Sequence, residues 1–297
     1  MTSPLREAVR QAARALADAG IDSAEADAMV LAACALKTTT SEVRKLMILG
    51  APAPDGLEDL VRERARRVPL QHLTGKSGFR RLELSVGPGV FVPRFETELV
   101  AGLAITHLLR RVGEVGPELQ VLALGLPLVV VDLCTGSGAI ALAIKDEFPA
   151  AQVHAVELSD LAHAWAIRNR DDLGLDVDIR LGDATQAFPD LAGCVDLVVS
   201  NPPYIPVGSV PNDPEVRDHD PEIALYGGSS DGLAIPLQVA ARAAVLLRPE
   251  GFLVMEHADV QGVSLPNALR ATGCWQEIRD HRDLNERPRA VTAVRAG

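Results

Sequence analysis

The chain has 297 residues, 47% of them hydrophobic but only 3% aromatic, so one large α/β domain plus a small second one can be built, with alanine, leucine and valine filling the cores. A net charge of −11 argues against stable binding of nucleic acid, which depends on Lys and Arg neutralising phosphates. Cys34, Cys134, Cys194 and Cys274 form no C-x-x-C pair, the N-terminal MTSPLREAVRQAAR is charged where a secretory signal is apolar, and no run of about 18 apolar residues offers a membrane span, so a cytoplasmic protein is expected.

In chain order, the first part reads as helices. Between Pro4 and Ala19 the apolar Leu5, Val9, Ala12, Ala13 and Leu16 recur near one face, and Gly20 supplies a stop. Ser23 can cap a second helix reaching about Leu36, Ser41 can open a short third, and a fourth runs from Leu57 to Arg67 before Pro69. Together they predict a small bundle. Its basic cluster, Arg62, Arg64, Arg66 and Arg67, reads as a solvated helix face, with a docking surface for a partner as the alternative. Residues 79–92 change character: Leu82, Leu84 and Val86 alternate with polar residues, and Gly87-Pro88-Gly89 reads as a turn, so a β-hairpin joining two domains is expected. A helix from about Thr97 to Arg111 follows, and the Gly- and Pro-punctuated stretch 112–127 gives no assignment.

From Leu128 onward the pattern is regular. Strands are predicted at 128–134, 152–158, 177–181, 195–200, 251–257, 275–280 and 290–295. Helices are predicted up to about Phe148, up to about Leu173, over about Gly232–Leu247 and over Val260–Ala271. Strands alternating with helices give a parallel sheet covered on both faces. The last two strands have no helix between them and predict an antiparallel edge.

The first of these strands runs into Asp132-Leu133-Cys134-Thr135-Gly136-Ser137-Gly138, where glycines allow a tight turn and close approach of a ligand to the backbone. The second ends at Glu157, which can accept hydrogen bonds from both hydroxyls of a ribose. Asp183, with Ala184 beside it, ends the third within reach of an adenine amino group. These features indicate an adenosine-containing cofactor. They do not separate S-adenosylmethionine from NAD, because Gly136-x-Gly138-x-x-Ala141 also fits the dinucleotide fingerprint.

The fourth strand ends in Asn201-Pro202-Pro203-Tyr204. An amide nitrogen is a poor nucleophile because its lone pair is delocalised into the carbonyl. A site that methylates it must hold both N–H groups with acceptors and aim the lone pair at the methyl donor. The Asn201 side-chain oxygen and the Pro202 carbonyl are the two acceptors, Pro203 stiffens the loop, and Tyr204 offers a flat face to the acceptor plane. Transfer is then mostly positioning, with no demand for a metal or a covalent nucleophile. The seven histidines show no metal-binding spacing.

With these residues in view, the sequence resembles the protein N5-glutamine methyltransferases of the HemK/PrmC type, which methylate peptide chain release factors. The likeness includes Pro69–Gly75, Phe91-Val92-Pro93-Arg94-Phe95-Glu96-Thr97-Glu98, the Asp132–Gly138 loop, Asn201–Tyr204, and Ala224–Gly228 followed by Asp231-Gly232-Leu233. It implies a substrate-docking helical domain at 1–76, a β-hairpin linker at 77–95 and a Rossmann-like, seven-stranded class I methyltransferase domain at 96–297. It further implies S-adenosylmethionine as cofactor and the glutamine of the Gly-Gly-Gln loop of class I release factors as target. By the same resemblance, Asn201, Pro202 and Tyr204 hold that glutamine, Phe91 lines the pocket, and Arg94, Glu96 and Thr97 brace it. Thr135, Gly136, Gly138, Glu157 and Asp183 hold the cofactor, and Asp132, Cys134, Ser137, Ala184 and Asn201 complete the expected cofactor-binding set.

Two positions depart from the family pattern. Cys134 replaces the usual first glycine of the loop, which is tolerable if the backbone there avoids positive φ, and Phe95 stands where a second proline is common. The polar stretch 207–220 is read as a lid or substrate-contacting segment, with simple disorder as the alternative. A monomer is expected. The competing readings are an exocyclic amino methyltransferase acting on a nucleic-acid base, a glutamine methyltransferase of a ribosomal protein, and an NAD-linked oxidoreductase or nucleotide-binding module.

Overall fold

The computed structural model describes residues 4–113 and 127–297, so most of the unassigned stretch 112–127 lies outside the described residues. The chain divides into two compact units. One comprises Met1–Lys76, Val86–Pro88 and Pro211–His219; the other comprises Ser77–Ser85, Gly89–Val210 and Asp220–Gly297.

The first unit is helical: α1 (Leu5–Asp18), α2 (Ala24–Ala35), α3 (Thr40–Ile48), α4 (Leu57–Ala65) and a short α5 (Leu70–Thr74). Leu5, Val9, Ala12 and Leu16 are buried at the predicted spacing and share a core with Leu31, Val43, Leu57 and Val61. Thr39 caps α3, its hydroxyl accepting from the Glu42 N–H at 3.2 Å, so the helix starts earlier than Ser41 suggested. At the head of α2 the Ser23 hydroxyl donates to Asp27 at 2.8 Å and caps no backbone group.

Asp27 receives Arg64 Nε at 2.8 Å; Arg64 Nη1 reaches Glu215 Oε1 at 2.6 Å, and Arg67 Nη2 reaches Glu215 Oε2 at 2.7 Å. The basic cluster is therefore split. Arg62 and Arg66 are exposed and pair with Asp59 and Glu63, whereas Arg64 is buried in an internal network that the partly exposed Arg67 joins, so Arg64 is not part of a solvated face. Glu215 arrives on α9 (Pro214–His219), so the polar stretch 207–220 carries an ordered helix bound to this bundle.

The second unit is built on a seven-stranded sheet of order β5-β4-β3-β6-β7-β9-β8. Its strands are β3 (Val129–Leu133), β4 (Gln152–Glu157), β5 (Val177–Leu181), β6 (Val195–Ser200), β7 (Leu247–Glu256), β8 (Trp275–Arg282) and β9 (Pro288–Arg295). The first five run parallel, and β9 inserts antiparallel between β7 and β8, which is the antiparallel edge expected from the sequence. Apolar residues on both faces, such as Val130 with Leu197 and Val131 with Val198, form the two cores beneath the covering helices. Those helices are α6 (Thr97–Gly113), α7 (Ala139–Glu147), α8 (Asp160–Leu173), α10 (Ala234–Leu246) and α11 (Ser264–Ala271).

Strand order reverses between β3 and β6, and ligands of open α/β sheets bind at such a switch, beyond the strands' carboxyl ends. Leu133 pairs with Ser200 across it and with Val156 on the other side. The segments following β3, β4 and β6 therefore emerge together at one edge.

The hairpin lies earlier than predicted. Its strands are β1 (Lys76–Phe79) and β2 (Leu82–Ser85), joined by Arg80-Arg81, while residues 86–92 form no strand. Arg80 takes a left-handed φ of 52°, which a sequence reading does not expect of arginine. Tertiary contacts hold it there: its N–H donates to Glu98 at 2.9 Å, and its guanidinium grips both carboxylate oxygens of Glu147 at 2.5 and 2.9 Å.

Candidate active site

The loop after β3 is organised by two carboxylates. Asp132 Oδ2 accepts from the Thr135 hydroxyl at 2.6 Å and from the Ala141 N–H at 3.2 Å, tying the loop to the first turn of α7. Burial raises the Asp132 carboxyl to about 7, against the pull of these bonds, and its Oδ1 is buried without a partner. Glu157 Oε2 accepts from the Gly136 N–H and Oε1 from the Ser159 N–H, each at 2.8 Å. Its carboxylate is thereby fixed at the loop. Gly136 and Gly138 have φ of 59° and 85°, and a Cβ on Gly138 would come within 2.9 Å of Leu142, so the second glycine also allows close packing at the head of α7. The Ser137 carbonyl accepts from Asn169 Nδ2 at 2.9 Å; the same amide exchanges bonds with the Ser85 backbone, an anchoring role with no sequence signal. Asp183 Oδ1 takes the Thr185 N–H and hydroxyl at 2.8 Å each, and Ala184 is buried beside it.

Cys134 does not meet the condition set for it, because its φ is 68°. A side chain in the left-handed region costs roughly 1–2 kcal/mol, which glycine avoids. Cys134→Gly is thus expected to leave stability within about 1 kcal/mol of the parent, strain relief offsetting lost packing and added chain entropy, whereas the β-branched Cys134→Val should cost more than about 2 kcal/mol. Urea denaturation checks this ordering. Burial pushes the Cys134 thiol pKa far up, so it stays protonated.

Glu157→Ala removes the acceptor for two backbone N–H groups as well as the proposed ribose contact. It is expected to weaken S-adenosylhomocysteine binding by at least about tenfold, some 1.4 kcal/mol, with calorimetry as the measure. An unchanged affinity would remove Glu157 from that role.

At the end of β6, Asn201 Nδ2 donates to the Thr97 hydroxyl at 3.2 Å, which commits the nitrogen end of the amide to α6. Pro202 is buried, and Pro203 is half-buried beside it. The Tyr204 hydroxyl donates to Glu256 Oε1 at 3.0 Å, and burial holds its pKa well above the usual phenol value, so it remains a donor. The Tyr204 carbonyl accepts from Gln261 Nε2 at 2.9 Å, and that nitrogen also reaches the Asp231 carbonyl at 2.8 Å. A Cβ on Gly232 would lie 2.1 Å from the Tyr204 carbonyl oxygen, and one on Gly227 would lie 2.0 Å from the Gly232 carbonyl. The Ala224–Gly228 and Asp231–Leu233 segments are thus the backbone cradle of Tyr204.

Arg94 donates to the buried Asp220 at 2.7 Å, with its guanidinium 5.0 Å over the Phe91 ring. Phe95 is 83% exposed, so the residue replacing the second proline faces solvent. Glu96 and Glu98 flank Thr97 at the start of α6, and only Thr97 touches the Asn201 amide. Glu256, Arg289, Asn169 and Gln261 were not singled out from sequence; of these only Glu256, a charge closing the apolar run FLVME, carried a usable signal. Among the described residues, no group of three or more His, Cys, Asp or Glu is placed to hold a metal ion, and no helix is long and apolar enough to cross a membrane.

A seven-stranded sheet whose switch point carries this glycine loop, an acidic residue ending β4 and Asn-Pro-Pro-Tyr ending β6 defines a Rossmann-like methyltransferase. Residues 7–75 match the family model described as PrmC N-terminal domain, and residues 118–210 match the methyltransferase small domain. A release factor glutamine methyltransferase of Streptomyces coelicolor is 48% identical over 97% of this chain and 97% of its own, and one of Bifidobacterium longum is 40% identical over 98% and 99%. The chain belongs to the release factor glutamine methyltransferase family. A further relative, the 4-amino-L-phenylalanine/4-methylamino-L-phenylalanine methyltransferase of Streptomyces pristinaespiralis, is 39% identical over 98% of this chain and 95% of its own.

Proposed function

We propose that this chain methylates the side-chain amide nitrogen of the Gly-Gly-Gln glutamine in class I peptide chain release factors. The observation that carries the reading is the Asn201 amide, whose nitrogen is engaged by Thr97 so that its oxygen is left to accept from a substrate. That oxygen takes one N–H of the incoming carboxamide, and the Pro202 carbonyl takes the other. Tyr204 packs against the carboxamide plane, and Phe91, braced by Arg94, closes the apolar side of the slot.

S-Adenosylmethionine supplies an electrophilic methyl group on a sulfonium when bound. The residues present suit it: Glu157 stands fixed at the loop for a ribose, and a Cβ built on Gly136 meets nothing within 4 Å. Thr135, Gly136, Ser137 and Gly138 would hold it beside Asp183 and Ala184, while Asp132 and Cys134 shape the loop from below. The site's own work is orientation, and the methylated nitrogen can lose its proton to water or to Asn201 Oδ1. The helical residues 1–76 serve as the docking surface for the protein substrate, with the hairpin region 77–95 as the connection to the catalytic residues 96–297. The protein works as a monomer in the cytoplasm and needs no metal.

The test is mass spectrometry of a purified release factor incubated with this protein and S-adenosylmethionine, with 4-amino-L-phenylalanine, ribosomal protein and nucleic acid as parallel acceptors. One methyl group on the glutamine of Gly-Gly-Gln is expected. Transfer to one of the other acceptors alone would overturn the reading.

A further inference from the structure

We propose that Gln261 is a positioning residue for methyl transfer: its side-chain amide holds the far end of the Asn-Pro-Pro-Tyr segment and so aims the Pro202 carbonyl, a main-chain acceptor. This deepens the amide-methylating reading and rests on it. Gln261 closes a single 3-10 turn, Asp259–Gln261, that follows β7, and it is 2% exposed. Its Oε1 accepts from the Ala258 N–H at 2.9 Å, and its own backbone N–H donates to the Ala258 carbonyl at 2.8 Å. Its Nε2 donates to the Tyr204 carbonyl at 2.9 Å and to the Asp231 carbonyl at 2.8 Å.

Hydrogen counting fixes the direction of this amide. Both hydrogens of its NH₂ meet carbonyls, and its oxygen meets an N–H. Turned over, it would set oxygen against both carbonyls and NH₂ against the Ala258 N–H, losing all three bonds. A Cβ on Gly232 would come within 2.8 Å of Gln261 Nε2, so the glycine leaves room for the bond to Tyr204. The peptide after Tyr204 is held from its other side as well. The Ile205 N–H donates to the Leu225 carbonyl at 2.8 Å, and the Ile205 carbonyl accepts from the Gly227 N–H at 2.9 Å.

At the near end of the segment, Ser200 pairs with Met255 in the sheet and Asn201 Nδ2 is engaged by Thr97. Between the two anchors stand Pro202 and Pro203. Each proline has φ fixed at about −65°, and a residue preceding proline is confined to extended backbone, so the segment behaves as a stiff strut. With both ends held, such a strut leaves its middle carbonyl one direction. Pro202 is buried, and in the proposed function its carbonyl takes one N–H of the substrate carboxamide. Loss of the Gln261 amide frees the Tyr204 end and lets that carbonyl turn. A misplacement of about 1 Å in a group that orients a reactant can cost about 100-fold in rate.

The experiment compares the full chain with Gln261→Leu and Gln261→Glu. Gln261→Leu nearly keeps the volume and removes all three side-chain bonds. It is expected to lower kcat on a release factor about 30-fold or more, with KM within about fivefold and S-adenosylhomocysteine affinity within about threefold. In a crystal structure of either variant with S-adenosylhomocysteine, the Pro202 carbonyl should be displaced by about 1 Å or spread over two positions, while Asn201 Nδ2 stays on Thr97. Gln261→Glu keeps the acceptor for Ala258. Protonated, it can still donate to one carbonyl; ionised, it sets an oxygen against both. Burial beside two carbonyls raises such a carboxyl, so its kcat relative to the parent should fall about tenfold or more between about pH 6 and about pH 9. A kcat for Gln261→Leu within about threefold of the parent, even with a lowered urea midpoint, would make Gln261 a residue of the fold alone and overturn the proposal. An unmoved Pro202 carbonyl, or a Gln261→Glu ratio that does not change with pH, would overturn it equally. Gln261→Glu carries the test if the leucine variant does not fold. Should the parent itself leave release factor unmethylated, the substrate reading fails, and the position of the Pro202 carbonyl still decides the role of Gln261.

Discussion

Asn201→Ala is expected to lower kcat by about 10²–10³-fold while S-adenosylhomocysteine affinity changes by less than about threefold. In the proposed function the asparagine oxygen is one of two acceptors for the reacting nitrogen, and removing a single oriented polar group from an active site typically has an effect of this size. Its Nδ2 is spent on Thr97, so the side chain is committed to one orientation before substrate arrives. The residues proposed to hold the adenosine follow β3, β4 and β5, whereas Asn201 follows β6. Steady-state kinetics with calorimetry separate the two effects. Equal losses in turnover and cofactor binding would show that Asn201 belongs to the adenosine pocket.

Arg64→Met should destabilise the helical unit by roughly 3–5 kcal/mol, the usual consequence of leaving buried carboxylates without their counter-charge. Arg64 is 8% exposed at its side chain, and Asp27 and Glu215 are 6% and 10% exposed. Methionine fills the stem's volume and supplies no donor, so Asp27 loses its guanidinium and Glu215 keeps only Arg67. Burial opposes the Glu215 charge, but hydrogen bonding with Asp213, Arg64 and Arg67 overrides it and holds the carboxyl at about 2. Its folded value therefore lies below its unfolded one. The stabilisation is complete above the ordinary carboxylate range near ~4.3 and is lost as pH falls toward about 2. The parent should lose stability across that window, and Arg64→Met should lose less there because the missing contribution is already gone. Urea denaturation at neutral and acid pH measures both effects. A loss below about 1 kcal/mol at neutral pH would contradict a buried network.

The sheet was legible because parallel strands covered on both faces are continuous apolar runs. Val129-Val130-Val131, Leu197-Val198-Val199 and Phe252-Leu253-Val254 each occur as strand where the pattern placed them. The edge shared by the glycine loop, Glu157 and Asn201 followed from the same pattern, since strand ends at a switch point lie together. What was missed depends on long-range partners. The hairpin turn at Arg80 uses a left-handed arginine held by Glu98 and Glu147, so no Gly or Asn marks it. Arg64 and Arg67 looked like solvent charges because their partner, Glu215, lies about 150 positions away in a stretch that reads as polar loop. Glu256 gained meaning only from the register that sets β7 beside β6. Cys134 shows the limit for backbone: composition cannot tell which residue of a glycine loop takes a positive φ.

The claim at the centre of the account is geometric: a carboxamide nitrogen is pinned between the Asn201 oxygen and the Pro202 carbonyl, facing the transferred methyl. A crystal structure with S-adenosylhomocysteine and a Gly-Gly-Gln peptide tests it most directly. The glutamine nitrogen should lie within about 3 Å of both oxygens, on the sulfur side of Tyr204. A glutamine seated elsewhere, or one whose carbonyl rather than nitrogen meets Asn201, would contradict it.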